Sequence, residues 1–386
     1  MRTVQVPRLI DCHVHFREPG LTHKGNFASE SLAAHFGGIS VACDMPNTMP
    51  PTQTIEALSN KVKAAQSVSG LCDLRFFFGA TSMKHLKDLE SLWTQSEYHS
   101  LRSRCSGLKL YLDNSTGNLR SDESVTSAAF ELCGRLGIVV VAHCEDATTN
   151  SRCSECIPYT TPASHSERRP AVSEEQSIRD AVALASKYHT KLHIAHLSTS
   201  GGLEAVKAAR KSGLPITCEV APHHLFLSTE DYESQSSHVK VNPPMRAVDH
   251  RDALWLGLMD GTVDCIGTDH APHTAEEKAE SCNPPSGIPG VELVVPLMLS
   301  AIAGRWPHPT SKPPRCWETV KFSVEDLVRW MHTNPNRIFE LGVSDDAVTT
   351  LDLDCEWRVK ASELHSKVKW SPYDGWLLTG KVMVSD

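Results

Sequence analysis

GIVVVAHCE (137–145), SEEQSIRDAVALASKYH (173–189) and KLHIAHLS (191–198) follow one another along the chain. The first and third are short, almost continuously apolar runs that end on a histidine among polar residues. The second has apolar residues at helical spacing and opens on a Ser173…Gln176 pair that reads as a capping box. Runs that are apolar on both faces suit parallel strands covered by helices on either side. Strand, helix, strand is the repeating unit of a parallel α/β fold.

The same kind of run recurs on both sides of this stretch. PRLIDCHVH (7–15), GISVACDMPN (38–47), LCDLRFFFGA (71–80) and GLKLYL (107–112) precede it; LPITCEVAPHH (214–224) and VDCIGTDHAPH (263–273) follow it. Helical patterns separate them at 53–66, at 202–213, where Gly213 reads as the stop signal, and at 249–261. Eight strand–helix units predict a closed (β/α)8 barrel of the TIM type. An open doubly wound sheet is the alternative, but no G-x-G-x-x-G follows an early strand. Further helices are predicted at 291–304 and 323–341, separated by a Pro-rich loop at 305–317. The barrel is expected over 7–342, with no N-terminal domain, and a small β appendage over 343–386.

Composition narrows the function. The 386 residues carry 38 Lys and Arg against 46 Asp and Glu, a net charge of −8. With no basic block, nucleic acid and anionic membrane are not the expected partners. No run of 18 apolar residues predicts a membrane span, and the N-terminus lacks a secretory signal. The 13 Cys are scattered among apolar residues, as in a cytoplasmic protein with reduced thiols. A Cys153-x-x-Cys156 pair has no second pair near it and reads as two loop thiols rather than a zinc or redox site.

The 20 His are the unusual count. In a (β/α)8 barrel the chemistry lies at the C-terminal ends of the strands, and there the sequence puts His13, His15, Lys109, His143, His196 and Asp269. His13 and His15, two residues apart, share one face of a strand and suit one metal ion; Arg17 continues that parity towards the pocket mouth. A lone strand histidine is ordinarily a hydrogen-bonded core residue, but His143 and His196 end two further strands of the same barrel. Lys109 lies between Leu108 and Leu110. It either snorkels to the strand end or, held neutral by burial, reacts with CO2 to give an anionic carbamate that bridges two metals. Asp269, flanked by His270 and His273, reads as a metal ligand and proton carrier or as a helix N-cap. Two metal ions sharing a hydroxide would suit hydrolysis or formation of an amide-like bond.

HVHFREPG (13–20), DMPNT (44–48), GLKLYL (107–112), AHCED (142–146), HIAHLST (193–199), CEVAPHH (218–224), VNPPMR (241–246) and DHAPHT (269–274) together resemble dihydroorotase, of the cyclic amidohydrolase superfamily. WSPYDGW (370–376) extends the resemblance to the C-terminal segment. The resemblance implies interconversion of N-carbamoyl-L-aspartate and L-dihydroorotate in pyrimidine synthesis. It implies two zinc ions, one held by His13, His15 and Asp269 and the other by His143 and His196, bridged by carboxylated Lys109 and a hydroxide. Asp269 would carry the proton. Arg17, Asn47 and His273 match positions that grip the substrate carboxylate, Asn242 matches a further substrate contact, and 113–119 matches a mobile loop. A homodimer, associated with other enzymes of the pathway, is the expected assembly.

Two departures accompany the resemblance. Many bacterial relatives have aspartate at the Lys109 position, so the bridge follows the animal and enterobacterial pattern. Animal relatives hold a third zinc with a cysteine beside the sixth-strand histidine and a glutamate at the Glu219 position; here that neighbour is Ala195. The rival readings are dihydropyrimidinase, whose substrates lack the carboxylate that Arg17, Asn47 and His273 suit, allantoinase, whose wording usually departs from DMPNT and DHAPH, and a catalytically silent scaffold, which would have lost ligands. None of the six is missing.

Overall fold

The computed structural model describes residues 2–113, 119–280, 283–319, 321–346 and 349–384. Eight strands form one parallel sheet in chain order: β2 (Leu9–Val14), β3 (Ile39–Asp44), β4 (Asp73–Gly79), β5 (Cys105–Tyr111), β6 (Val140–His143), β7 (Leu192–Ile194), β8 (Ile216–Val220) and β9 (Cys265–Ile266). A parallel bridge between Val14 and His270 closes the ring, and His15 N donates to His270 O at 2.7 Å. The fold is the (β/α)8 barrel that the eight runs predict.

The strands bury both faces. Leu108, Leu110, Val140 and Leu192 pack outward under the helices, while Ile10, Cys12, Val41, Cys43, Phe77, Val141 and Cys265 fill the interior. Ile338, Phe339 and Leu341 join that interior cluster, with Phe339 edge-on to Phe77 and to His193. The bottom of the barrel is therefore plugged, leaving the C-terminal strand ends as the open mouth.

One irregularity decides what the mouth contains. Ile10 and Cys12 face the interior, and strict alternation would send Val14 there next. Instead the β2–β3 register shifts between Asp11 and Val14, Val14 joins the outer core, and His13 and His15 line the inner cavity. A register shift re-aims side chains in this way beside many active sites. The buried Asp11 carboxylate holds it, accepting from His13 N at 3.1 Å, Thr268 N at 3.0 Å and Thr268 Oγ1 at 2.6 Å.

Several local expectations are corrected. The helix expected from Ser173 begins earlier, at Ala171 after Pro170. Ser173 Oγ is instead engaged with Asp146, accepting from its N–H at 2.8 Å, so there is no capping box there. The 323–341 segment is not one α-helix: Val324–Val328 passes into a π-turn, Arg329–Thr333, before Asn334–Ile338. Pro335 lacks the N–H that regular α-helix would need at that point, and the wider turn absorbs the mismatch. Cys153 and Cys156 lie not in a loop but on the helix Ala147–Cys156, capped by Asp146. Gly213, at φ +80°, does follow the end of the helix Ser200–Lys211.

The appendage is a three-stranded antiparallel sheet with β10 (Thr349–Arg358) between β1 (Thr3–Val6) and β11 (Leu377–Met383). It therefore takes a strand from before residue 7, which the sequence reading passed over because four residues of mixed exposure give little signal. β11 packs on the helix Val294–Ile302, where Thr379 N donates to Ser300 Oγ at 2.8 Å. Among the described residues no helix is long and apolar enough to cross a membrane.

Candidate metal centre and carboxylate pocket

His13, His15, Arg17, Asn47, Lys109, His143, His196, Asn242 and Asp269 all line one cavity at the barrel mouth, together with Tyr111, Ala271, Ser286 and Gly287, whereas His273 does not. Each strand delivers its side chain as the strand ends. Three of these positions have left-handed backbone despite carrying side chains: Arg17 (φ +69°), His196 (φ +33°) and Asp269 (φ +49°). Such conformations cost about 1–3 kcal/mol each and concentrate at functional sites. Arg17 thus reaches the cavity through a turn rather than by continuing the parity of β2. Asp269 is not a helix N-cap, since Thr274 caps the next helix, Ala275–Lys278.

The imidazoles are tethered from outside and open towards the cavity. His13 Nδ1 is held by Glu219 Oε1, His15 Nδ1 by Asn47 Oδ1 at 2.6 Å, and His143 Nε2 by Glu145 Oε2 at 3.0 Å. The opposite nitrogens converge. His15 Nε2 lies 2.8 Å and His13 Nε2 3.4 Å from Asp269 Oδ1, and His143 Nδ1 lies 3.0 Å from His196 Nε2.

These separations fit metal ligands. Ligands of a tetrahedral ion at 2.0–2.1 Å stand about 3.4 Å from one another. His13, His15 and Asp269 form a buried set whose ligand atoms all lie within 4.8 Å of one another. Burial pushes the pKa of His15 down, with Asp269 acting against it. Burial, then His143 and Lys109, hold that of His196 well below the usual value. Low values favour the neutral ring, the form that binds metal. For Glu219, burial works upward but is outweighed by His13 and His193, leaving the carboxyl well below its usual range.

Lys109 does not snorkel. It is 1% exposed, its Nζ has no hydrogen-bond partner, and it lies 5.1 Å from the Tyr111 ring centre. Burial lowers its pKa to about 8, with Glu219 and Asp269 opposing. An orphaned buried amine is expensive as it stands. His196 Nδ1 and Tyr111 Oη, at the same cavity, are likewise buried without a partner. The donor set and the orphaned amine both fit a cationic centre bridged at Lys109.

The remaining predicted residues form a corner beside this centre. Arg17 Nε donates to Pro272 O at 3.0 Å, and Arg17 Nη2 lies 3.0 Å from His273 Nε2. Burial pushes the Arg17 pKa down to about 10, with Asp269 acting the other way. His273 stands behind Arg17; burial, then Arg17, Lys24 and Lys278, drive its pKa far down. Asn47 already serves His15, and Asn242 Oδ1 accepts from His165 Nε2 at 2.8 Å. His270 faces away from the centre, against Glu30 Oε2 at 2.9 Å. Of the loop read at 113–119, residues 114–118 lie outside the described residues. Its first residue, Asp113, accepts from Arg169 Nη2 at 2.9 Å and Asn150 Nδ2 at 2.7 Å.

Sequence reasoning did not assign the outer tethers. Glu145 lies two residues after His143 and is itself clasped by Arg169. Glu219, a carboxylate inside an apolar strand, carried a signal of the same kind as Lys109. Gly267 makes room for it: a Cβ there would stand 3.0 Å from both Glu219 Oε2 and His13 Cβ.

The chain is similar to known proteins over nearly its whole length. Residues 2–201 match the family described as Dihydro-orotase-like. The chain is 34% identical to a dihydroorotase of Methanosarcina mazei, over 97% of this chain and 80% of that protein. It is 32% identical to a dihydroorotase of Bacillus cereus, over 97% and 83%. It is also 34% identical, over 99% of its length, to a segment of the multifunctional protein CAD of Squalus acanthias, and spans only 14% of that protein. Among solved structures, an L-hydantoinase (dihydropyrimidinase) from Arthrobacter aurescens superposes with a TM-score of 0.86 at 27% identity, covering 99% of this chain and 84% of that one.

Replacing Glu219 by Gln keeps its shape and removes the charge that orients His13. Divalent-metal affinity, measured by competition with a chelator, should fall by about 10- to 100-fold with unchanged circular dichroism. Unaltered affinity would contradict the tether.

Proposed function

This chain belongs to the dihydroorotase-like family, and from that premise we propose that it is a zinc-dependent dihydroorotase, interconverting N-carbamoyl-L-aspartate and L-dihydroorotate in pyrimidine synthesis. One observation carries the reading: inward-facing imidazole nitrogens and Asp269 share a cavity with Arg17 and Asn47. The first set suits metal-assisted opening of a cyclic amide; the guanidinium suits a substrate with a free carboxylate. Hydantoins and dihydropyrimidines lack that carboxylate.

His13, His15 and Asp269 would hold one zinc ion, His143 and His196 a second, with carboxylated Lys109 between them. Bound there, the ions supply an acidified water and a polarised carbonyl. The rest is the work of the chain. Lys109 Nζ must first lose its proton; its lone pair then bonds to the carbon of CO2, and loss of a second proton leaves an anionic carbamate. Arg17 orients the substrate through its carboxylate, with Asn47 and Asn242 beside it and His273 behind Arg17. His13 and His15 keep the Asp269 carboxyl below its usual range despite burial, so it is ionised and ready to accept a proton. Asp269 takes the proton released by the attacking water and returns it to the ring nitrogen as the C–N bond breaks. Ring closure is the reverse and consumes a proton, so acid favours dihydroorotate.

The reading includes a cytoplasmic enzyme acting as a homodimer alongside other enzymes of the pathway. The free cysteines among the described residues support the first point, and the match to a segment of a multifunctional protein supports the last.

Purified protein loaded with zinc and bicarbonate should turn over dihydroorotate and carbamoyl aspartate but not dihydrouracil or allantoin. Turnover of dihydrouracil with none of dihydroorotate would overturn the reading in favour of a hydantoinase-type activity. Asp269→Asn should lower kcat by about 10²- to 10⁴-fold while dihydroorotate still binds; near-normal turnover would remove Asp269 from proton transfer.

Lys109→Ala should lose most of its zinc and activity, with partial rescue by short carboxylic acids. Full zinc occupancy in that variant would count against the bridge. With a Lys109 pKa of about 8, the ammonium dominates below that pH and the reactive amine above it. Metal-stripped protein given zinc and bicarbonate should therefore regain activity faster at pH 8.5 than at pH 6.5, read as the initial rate of reactivation. Equal rates at the two pH values would show that deprotonation of Lys109 does not limit assembly.

A further inference from the structure

Lys278 ends the short helix that follows Asp269 and His273, and its side chain is fully buried. Its Nζ lies 3.0 Å from Pro285 O, 3.0 Å from Gly287 O and 3.2 Å from Lys240 O. Those carbonyls belong to two separate segments of the cavity wall. Ser286 and Gly287 line the cavity directly, and Lys240 precedes Asn242, which also lines it. Gly287 N closes the junction by donating to Lys240 O at 2.9 Å. The wall is tight at this point: Gly287 has φ +136°, and a Cβ on it would stand 2.6 Å from Ala271 O.

Three carbonyl acceptors call for three N–H donors. An ammonium has three and a neutral amine only two, with a lone pair left to face the third oxygen. The cage therefore demands the charged form, although burial, then Lys240 and Arg17, work against it. Among the described residues no carboxylate forms an ion pair with Lys278; beyond the carbonyls it faces the Trp370 ring at 5.6 Å. Lys24, at 3.1 Å from His273 Nδ1, adds a further cation to the corner, partly balanced by Glu277 Oε1 at 3.0 Å. A buried charge without a counter-ion is costly, and an anion entering beside Gly287 offsets that cost.

We infer that Lys278, caged by carbonyls behind Gly287, is a positioning residue that fixes the pocket wall and gives the site its preference for a carboxylate-bearing ring over a neutral one. It acts through the wall and its field and does not touch substrate. The inference rests on the dihydroorotase reading and adds to it the residue that separates this site from one for uncharged cyclic imides.

The test uses the full-length, metal-loaded enzyme and two variants. Lys278→Gln keeps two N–H donors without the charge; Lys278→Arg keeps the charge. In Lys278→Gln, KM and Kd for dihydroorotate should rise about tenfold or more. Its kcat should stay within about threefold and its metal content should not change, and the inhibition constant of dihydrouracil should hold. Lys278→Arg should remain within about threefold of the parent in its preference for dihydroorotate over dihydrouracil. An unchanged preference in Lys278→Gln, or equal weakening of both ligands, would overturn the inference. A measurement on the unmutated protein covers the case in which the variants do not fold. ¹⁵N-lysine spectra at neutral pH should show an ammonium at Lys278, and an amine signal would overturn the inference. Inactivity of the parent enzyme on dihydroorotate would instead remove the reading on which the inference rests, a distinguishable result.

Discussion

The site depends on one buried carboxylate at the seam of the barrel. Asp11 accepts from His13 N and from both the backbone and the hydroxyl of Thr268. It therefore joins the register shift that turns His13 and His15 inward to the segment that presents Asp269. Burial raises the Asp11 pKa to about 7, with the Thr268 hydrogen bonds acting against it. The seam between β2 and β9 that closes the barrel is also where His13, His15 and Asp269, the first candidate metal set, meet.

Around that seam the polar groups are arranged in two directions. Carboxylates and an amide stand outside the imidazoles, where Glu219, Asn47 and Glu145 each take one ring nitrogen and leave the other for the cavity. Cations gather in the corner beside them, where Arg17, Lys24 and Lys278 crowd His273. The chain as a whole carries a net charge of −8, so this corner owes its sign to local placement rather than to composition. A centre that draws cations and a corner that draws anions, side by side in one cavity, is the arrangement a cyclic amide with a pendant carboxylate requires.

Much of this was legible in the sequence for a definite reason. Strands buried on both faces must be apolar throughout, so eight such runs stood out and their polar endings marked the mouth. Lys109 was conspicuous because a lysine between leucines in such a run has few bland explanations, and its full burial removes the snorkelling one. Alternation correctly put His13 and His15 on one face but did not foresee the register shift that makes that face the inner one. The same rule failed at Arg17, where the backbone turns left-handed. The Glu219 tether was hidden because its partner, His13, lies far along the chain, and the Lys278 cage because its partners are the backbone carbonyls of residues 240, 285 and 287. Hydrogen bonds to backbone carbonyls leave no residue-type signature.

The central claim is that these buried donors clasp two cations on either side of a modified Lys109. Anomalous diffraction across the zinc edge, on crystals grown with zinc and bicarbonate, reads this directly. The account predicts two peaks, one among His13 Nε2, His15 Nε2 and Asp269 and the other between His143 Nδ1 and His196 Nε2, with electron density for a carboxylate on Lys109 Nζ. An unmodified Lys109 with one peak or none under those conditions would contradict it.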